Sequence, residues 1–208
     1  AKGKECLMAI GRIMITDKKM KDLQETNYLQ ENGWHVRTYT MSGRQTYLQG
    51  ILFALPFLLL AGGMYRIFLL ERAVLLDHTG IILLAAAAVS LPVHEALHGL
   101  GWKWGGRLNR GQISMIFCHG MPMCTCRAVL TVRAYLTGTL LPFAVLGSGS
   151  FIYLVICPGT VSLLTALVNL TLSGADLAIA YKVLRSGADM VADSPDEAGF
   201  VALFRGEE

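Results

Sequence analysis

His94-Glu95-Ala96-Leu97-His98 is an H-E-x-x-H pentad. Histidines four residues apart share one face of a helix, so both imidazoles can grip a single divalent ion. A glutamate beside them can take a proton from a water that the metal has made acidic. The trio therefore suits hydrolysis with Zn²⁺, and the bland alternative is a buried polar cluster whose members hydrogen-bond one another. Catalytic zinc needs a third protein ligand and an open fourth position. The soluble pattern that draws this ligand from a third histidine, H-E-x-x-H-x-x-G-x-x-H, matches through Gly101 and fails at Trp104.

The pentad lies in an apolar run, Gly80 to Gly101, whose one charged residue is Glu95. Carboxylates and imidazoles are costly in hydrocarbon unless they face a partner, water or a metal. Hydrophobic residues make up 53% of the chain and charged residues 16%, against about 25% charged in soluble domains. The composition predicts a mainly α integral membrane protein. Gly50 to Leu70, Gly80 to Gly101, Leu136 to Cys157 and Thr160 to Tyr181 are each long enough to cross the bilayer as helix. Pro158-Gly159 marks a tight turn between the last two. Pro92, two residues before His94, can kink the second span.

Between the second and third spans, Ile113 to Phe117 and a second short run from Cys124, joined around Gly120 and Pro122, predict a small β-hairpin. On the metal side of the membrane, a free strand edge there could pair with an extended substrate, or the hairpin could simply cap the bundle. The organisation expected is thus a juxtamembrane segment over 1–49, a membrane bundle over 50–185 with its hairpin loop at 102–135, and an acidic tail over 186–208.

Residues 1–49 lack the apolar core and small-residue cleavage site of a secretory signal. They hold eight Lys and Arg but no basic run with interleaved aromatics, so contact with anionic lipid is expected rather than nucleic-acid binding. With four spans, both ends and the middle loop share one side and carry sixteen of the eighteen Lys and Arg. The positive-inside rule makes that side the cytoplasm.

Depth nominates the third ligand. His98 and His94 lie roughly 7 and 14 Å back from the exit of their span near Lys103, at about 1.5 Å per residue. Asp176, the one ionisable residue from Thr160 to Tyr181, lies roughly 9 Å back from the exit near Lys182 by the same rise. An intramembrane carboxylate is a functional candidate by default, and its bland reading is a snorkelling residue. Asn169, Ser173 and Asp176 share a helix face. Asn169 is too far along the axis to bind the same ion and is expected to hydrogen-bond across helices or to hold substrate.

Cys118, His119, Cys124 and Cys126 could form a second soft-metal site, although a lone Cys-x-Cys is poor spacing for structural zinc. Cys6 and Cys157 read as apolar fillers, and His35 and His78 as surface residues. Asp189, Asp193, Asp196 and Glu197 read as a solvated acidic face, with a structural role near the site as the alternative for Asp193.

The chain resembles a group of bacterial membrane proteins called putative zincin peptidases, similar to intramembrane metalloproteases of the site-2 protease type. The resemblance rests on HEALHG (His94 to Gly99), on Arg133 to Pro142, on Asn169 to Asp176, and on the tail Asp193 to Phe200. It implies peptide-bond hydrolysis at the cytoplasmic rim of the bacterial cytoplasmic membrane, with Zn²⁺ held by His94, His98 and Asp176 and with Glu95 as the catalytic base. Site-2 proteases carry their aspartate before glycine, whereas Leu177 follows Asp176 here. Peptides or transmembrane proteins would be the substrates. A zinc-binding sensor or carrier without turnover, and a scaffold without metal, are the rival readings.

Overall fold

The computed structural model describes residues 33–69, 78–118, 121–194 and 197–205. Their order is β1 (Trp34–Met41), α1 (Gly43–Leu69), α2 (Thr79–Gly106), β2 (Ile113–Cys118), β3 (Met121–Cys126), β4 (Val129–Thr131), α3 (Val132–Pro142), α4 (Ser148–Ile156), α5 (Thr160–Leu172), α6 (Gly174–Ser186), β5 (Met190–Asp193) and β6 (Ala198–Arg205). The protein is mainly helical, and four segments are long and apolar enough to span a membrane: Gly43–Ile67, Thr79–Gly106, Val132–Ile156 and Thr160–Ser186. Large apolar side chains such as Leu52, Leu84 and Ile156 are exposed on these helices. In water that surface would be a liability, and in lipid it is the expected outer face.

The helices extend past the spans expected from hydropathy. The first begins at Gly43 rather than Gly50, and the second runs on to Gly106. Hydropathy sees only the apolar stretch, whereas backbone hydrogen bonding carries a helix into polar flanks. The third span contains a five-residue π-helical stretch, Phe143–Gly147, directly after Pro142. The fourth span is two helices instead of one. Ser173 Oγ donates to Asn169 O at 2.9 Å, a back-bond that bends helices, and Gly174 follows. A Cβ on Gly174 would overlap Gly50 O of α1, so the break is also where the fourth span presses against the first.

The expected hairpin is present. β2 and β3 pair antiparallel from Ile113 with Cys126 to Cys118 with Met121. Pro122 belongs to β3, not to the turn. It faces Phe117 at a position whose missing N–H costs no ladder bond.

A second sheet corrects the reading of the two terminal segments. Its strand order is β1-β6-β5-β4, all antiparallel. The residues before the first span thus supply an edge strand, and the tail supplies the two central strands rather than a solvated acidic face. Burial in β6 does not alternate, because Phe200, Ala202 and Leu203 are all covered. One sheet face packs Val191, Phe200 and Ala202 against Trp102, Leu130, Ala134, Tyr135, Val183 and the hairpin cysteines. A separate core inside the bundle joins Ala61, Leu154, Ala166 and Leu170.

Candidate metal centre

Leu91, His94 and His98 lie on α2, where the turn-by-turn spacing brings both imidazoles inward: His94 is 3% and His98 6% exposed. Pro92 sits inside the same unbroken helix. Trp104, which takes the place of the third histidine in the soluble pattern, is 66% exposed and points away.

Asp176, in the first turn of α6, meets the two histidines. Its Oδ2 lies 3.0 Å from His94 Nε2 and its Oδ1 3.4 Å from His98 Nε2. The two Nε2 atoms are 3.1 Å apart. Among the described residues, these three form the one group of His, Cys, Asp or Glu with ligand atoms close enough to share an ion.

The residues fit a zinc ion. Ligands at about 2.0–2.1 Å in a tetrahedron stand about 3.3 Å apart, close to the three separations observed. His98 Nδ1 lies 3.0 Å from Gly138 O. A carbonyl can only accept, so Nδ1 carries the proton and Nε2 turns a lone pair toward the centre. Asp176 Oδ2 is buried without a hydrogen-bond partner, a costly state for a carboxylate that a cation relieves.

Gly138 makes this arrangement possible. A Cβ there would overlap the Trp102 indole, and one on Gly101 would meet Gly138 itself. The two glycines let α2 and α3 approach until the Gly138 carbonyl reaches His98. Trp102 Nε1 donates to Tyr135 O at 3.0 Å, and its ring stacks on His98 with centroids 5.5 Å apart.

Glu95 points to the hairpin. Its Oε2 accepts the Cys124 N–H at 2.6 Å, which holds the carboxylate beside the histidines. Farther along β3, Cys126 N–H donates to Asp193 Oδ2 at 3.2 Å, and Tyr135 O–H donates to Asp193 Oδ1 at 3.2 Å. Burial pushes the Asp193 carboxyl up to about 7 despite those donors. Asp193 thus takes the structural role that was its alternative reading, whereas Glu197 is exposed and Asp189 accepts the Arg205 N–H at 2.8 Å in an exposed position.

Asn169 departs from expectation. It does not reach across helices, because Nδ2 donates to Thr165 O in its own helix at 3.0 Å. Its Oδ1 is buried without a hydrogen-bond partner.

Cys124 and Cys126 are buried on the hairpin. Burial pushes their thiols up to about 12 and about 11, the first reinforced by the Glu95 carboxylate. Among the described residues, neither joins a group of ligand atoms close enough to share an ion. The His119 and Asp196 portions of the expected clusters lie outside the described residues, as does Cys6, while Cys157, His35 and His78 are at the surface. Gly138, Trp102 and the Cys124 N–H were not singled out by sequence reasoning. A glycine and a backbone amide carry no chemical signature, and the one hint was that Gly138 lies within the Arg133 to Pro142 segment.

A family model described as putative zincin peptidase matches residues 87–191. No curated protein and no solved structure matches the chain.

Proposed function

Given that the chain belongs to the putative zincin peptidase family, we propose that it is a membrane-embedded zinc endopeptidase of the site-2 protease type. It cuts peptide bonds of membrane or membrane-proximal substrates near the cytoplasmic face of a bacterial cytoplasmic membrane. The observation that carries this reading is the convergence of His94, His98 and Asp176 within 4.8 Å, inside segments apolar enough to span a bilayer.

In this reading His94, His98 and Asp176 hold the ion, and Glu95 is the catalytic base. Bound zinc supplies Lewis acidity, which acidifies water and polarises a peptide carbonyl. Glu95 leaves the Cys124 N–H, takes the proton from water and returns it to the departing amine. Gly138 O holds His98 in the tautomer that presents Nε2, and the Trp102 ring covers it. The hairpin lines the approach and pairs with an extended peptide. A substrate helix must unwind first, because its carbonyls are otherwise occupied.

The orientation rests on charge. Both ends of the described chain and the middle loop meet in one sheet, so the end rich in Lys and Arg faces the cytoplasm.

Glu95→Gln separates a peptidase from a zinc carrier or sensor. In vesicles holding a labelled transmembrane peptide, this variant should lose cleavage by at least about a hundredfold and keep stoichiometric zinc. Undiminished cleavage would remove Glu95 from the mechanism, and a zinc-loaded wild type that never cleaves would favour the carrier.

A further inference from the structure

Two carboxylates divide the buried outer amides of β3 between them. Arg127 N–H donates to Gln112 O at 2.8 Å, and alternation along the ladder then turns the N–H groups of residues 124 and 126 away from β2. Cys124 gives its N–H to Glu95 on α2 at 2.6 Å, and Cys126 gives its N–H to Asp193 on β5 at 3.2 Å. Pro122, the next in the series, has no N–H to give.

A two-stranded ribbon is marginal by itself, so the place of β3 depends on what holds it from outside. Cys124 packs on α2 at Gly99, where a Cβ would meet its sulfur at 3.1 Å. Apolar packing sets a separation but resists sliding less than a directional hydrogen bond does. Glu95 cannot supply that bond throughout a reaction, because a base must release the Cys124 N–H to take its proton. Asp193 has no such task. Its backbone stands in the sheet opposite Phe200, and its Oδ1 accepts the Tyr135 O–H at 3.2 Å, so the carboxylate is fixed from β5 and from α3 at once.

Resting on the peptidase reading above, we propose that Asp193 is a positioning residue for Glu95. It acts through β3. Its bond to the Cys126 N–H fixes the strand so that the Cys124 N–H, two residues away, holds the Glu95 carboxylate beside the histidines and receives it again after proton transfer. The tail sheet thereby reaches the base, although no tail residue belongs to the metal-ligand group.

The test uses the full chain in detergent, loaded with zinc, and fluorescein-labelled β-casein as the probe. Asp193→Ala should lower kcat about tenfold per zinc-loaded molecule, with KM and zinc affinity nearly those of the wild type. Asp193→Asn should recover most of the loss. Its side-chain oxygen can accept from Cys126 N–H while its NH2 donates to Tyr135 Oη, which turns its own proton to Gly199 O at 3.4 Å. A mere brace would lower the folded or zinc-loaded fraction and leave kcat per loaded molecule unchanged, which overturns the proposal. In a Glu95→Gln background the alanine substitution should cost less than about twofold further, because its effect runs through Glu95; a second loss as large as the first overturns it. Amide hydrogen exchange gives a readout independent of turnover. Asp193→Ala should speed exchange at Cys124 as well as at Cys126 by at least about tenfold, and wild-type exchange at Cys124 overturns the proposal. Should the alanine variant fail to fold, Asp193→Glu decides: it keeps an acceptor but sets β3 one methylene away, so kcat should still fall a few-fold, and a wild-type kcat overturns the proposal. A zinc-loaded wild type that never cleaves casein would defeat the peptidase reading, while the exchange comparison still decides whether Asp193 holds the Cys124 N–H in place.

Discussion

The zinc chemistry proposed for this site turns on a handful of atoms, each with a separate role. The buried Asp176 carboxylate meets both imidazoles, Oδ2 at 3.0 Å from His94 Nε2 and Oδ1 at 3.4 Å from His98 Nε2, so Asp176→Ala should lower zinc affinity at least about a hundredfold, beyond the usual loss from an outer-sphere partner. Zinc content after dialysis against a weak chelator measures this, and full retention would remove Asp176 from the ligand set. Gly138 acts through its backbone. Because a Cβ there would overlap Trp102, Gly138→Ala must push α3 away from α2. The strain should cost about 1–3 kcal/mol and pull the carbonyl from His98, so both thermal midpoint and zinc affinity should fall. A variant that loses stability alone would show that His98 needs no fixed partner.

At the scale of elements, the third and fourth spans depart from ideal helices near the site, and the hairpin with β5 closes it. Asp193 links β3, β5 and α3, accepting from Cys126 N–H and Tyr135 O–H. Its folded pKa of about 7 lies above the ordinary carboxylate value. Between about pH 4 and 7 the folded state binds more protons than the unfolded one, so this residue's contribution to stability falls as pH rises through that window and levels off above it. The thermal midpoint should drop from pH 5 to pH 8 in the wild type and drop less in Asp193→Asn. An equal drop in both would place the titration elsewhere.

Across the whole molecule, four spans open toward one end, where β1, β4, β5 and β6 from widely separated stretches of chain form a single sheet. The opposite end carries the exposed Cys157 beside the Pro158-Gly159 turn. If the sheet faces the cytoplasm, a membrane-impermeant maleimide should label Cys157 in intact cells of a variant retaining this cysteine alone. Labelling only after lysis would reverse the orientation.

Much of this was legible from one chain. H-E-x-x-H is local, apolar windows report spans, and a lone aspartate in an apolar run stands out, so the meeting of His94, His98 and Asp176 and the four long apolar helices could be read without coordinates. Other features depended on encounters between distant residues that leave no periodic trace. His98 meets Gly138 forty positions away, Glu95 meets Cys124 twenty-nine away, and Asp193 meets Cys126 sixty-seven away. Composition made the tail look solvated, but pairing with β1 and β4 buried it. The sequence alone determined which residue types could do zinc chemistry and in what solvent. Tertiary structure decided which backbone groups hold them, because a peptide carbonyl or amide is the same in every residue and acquires a role only through position.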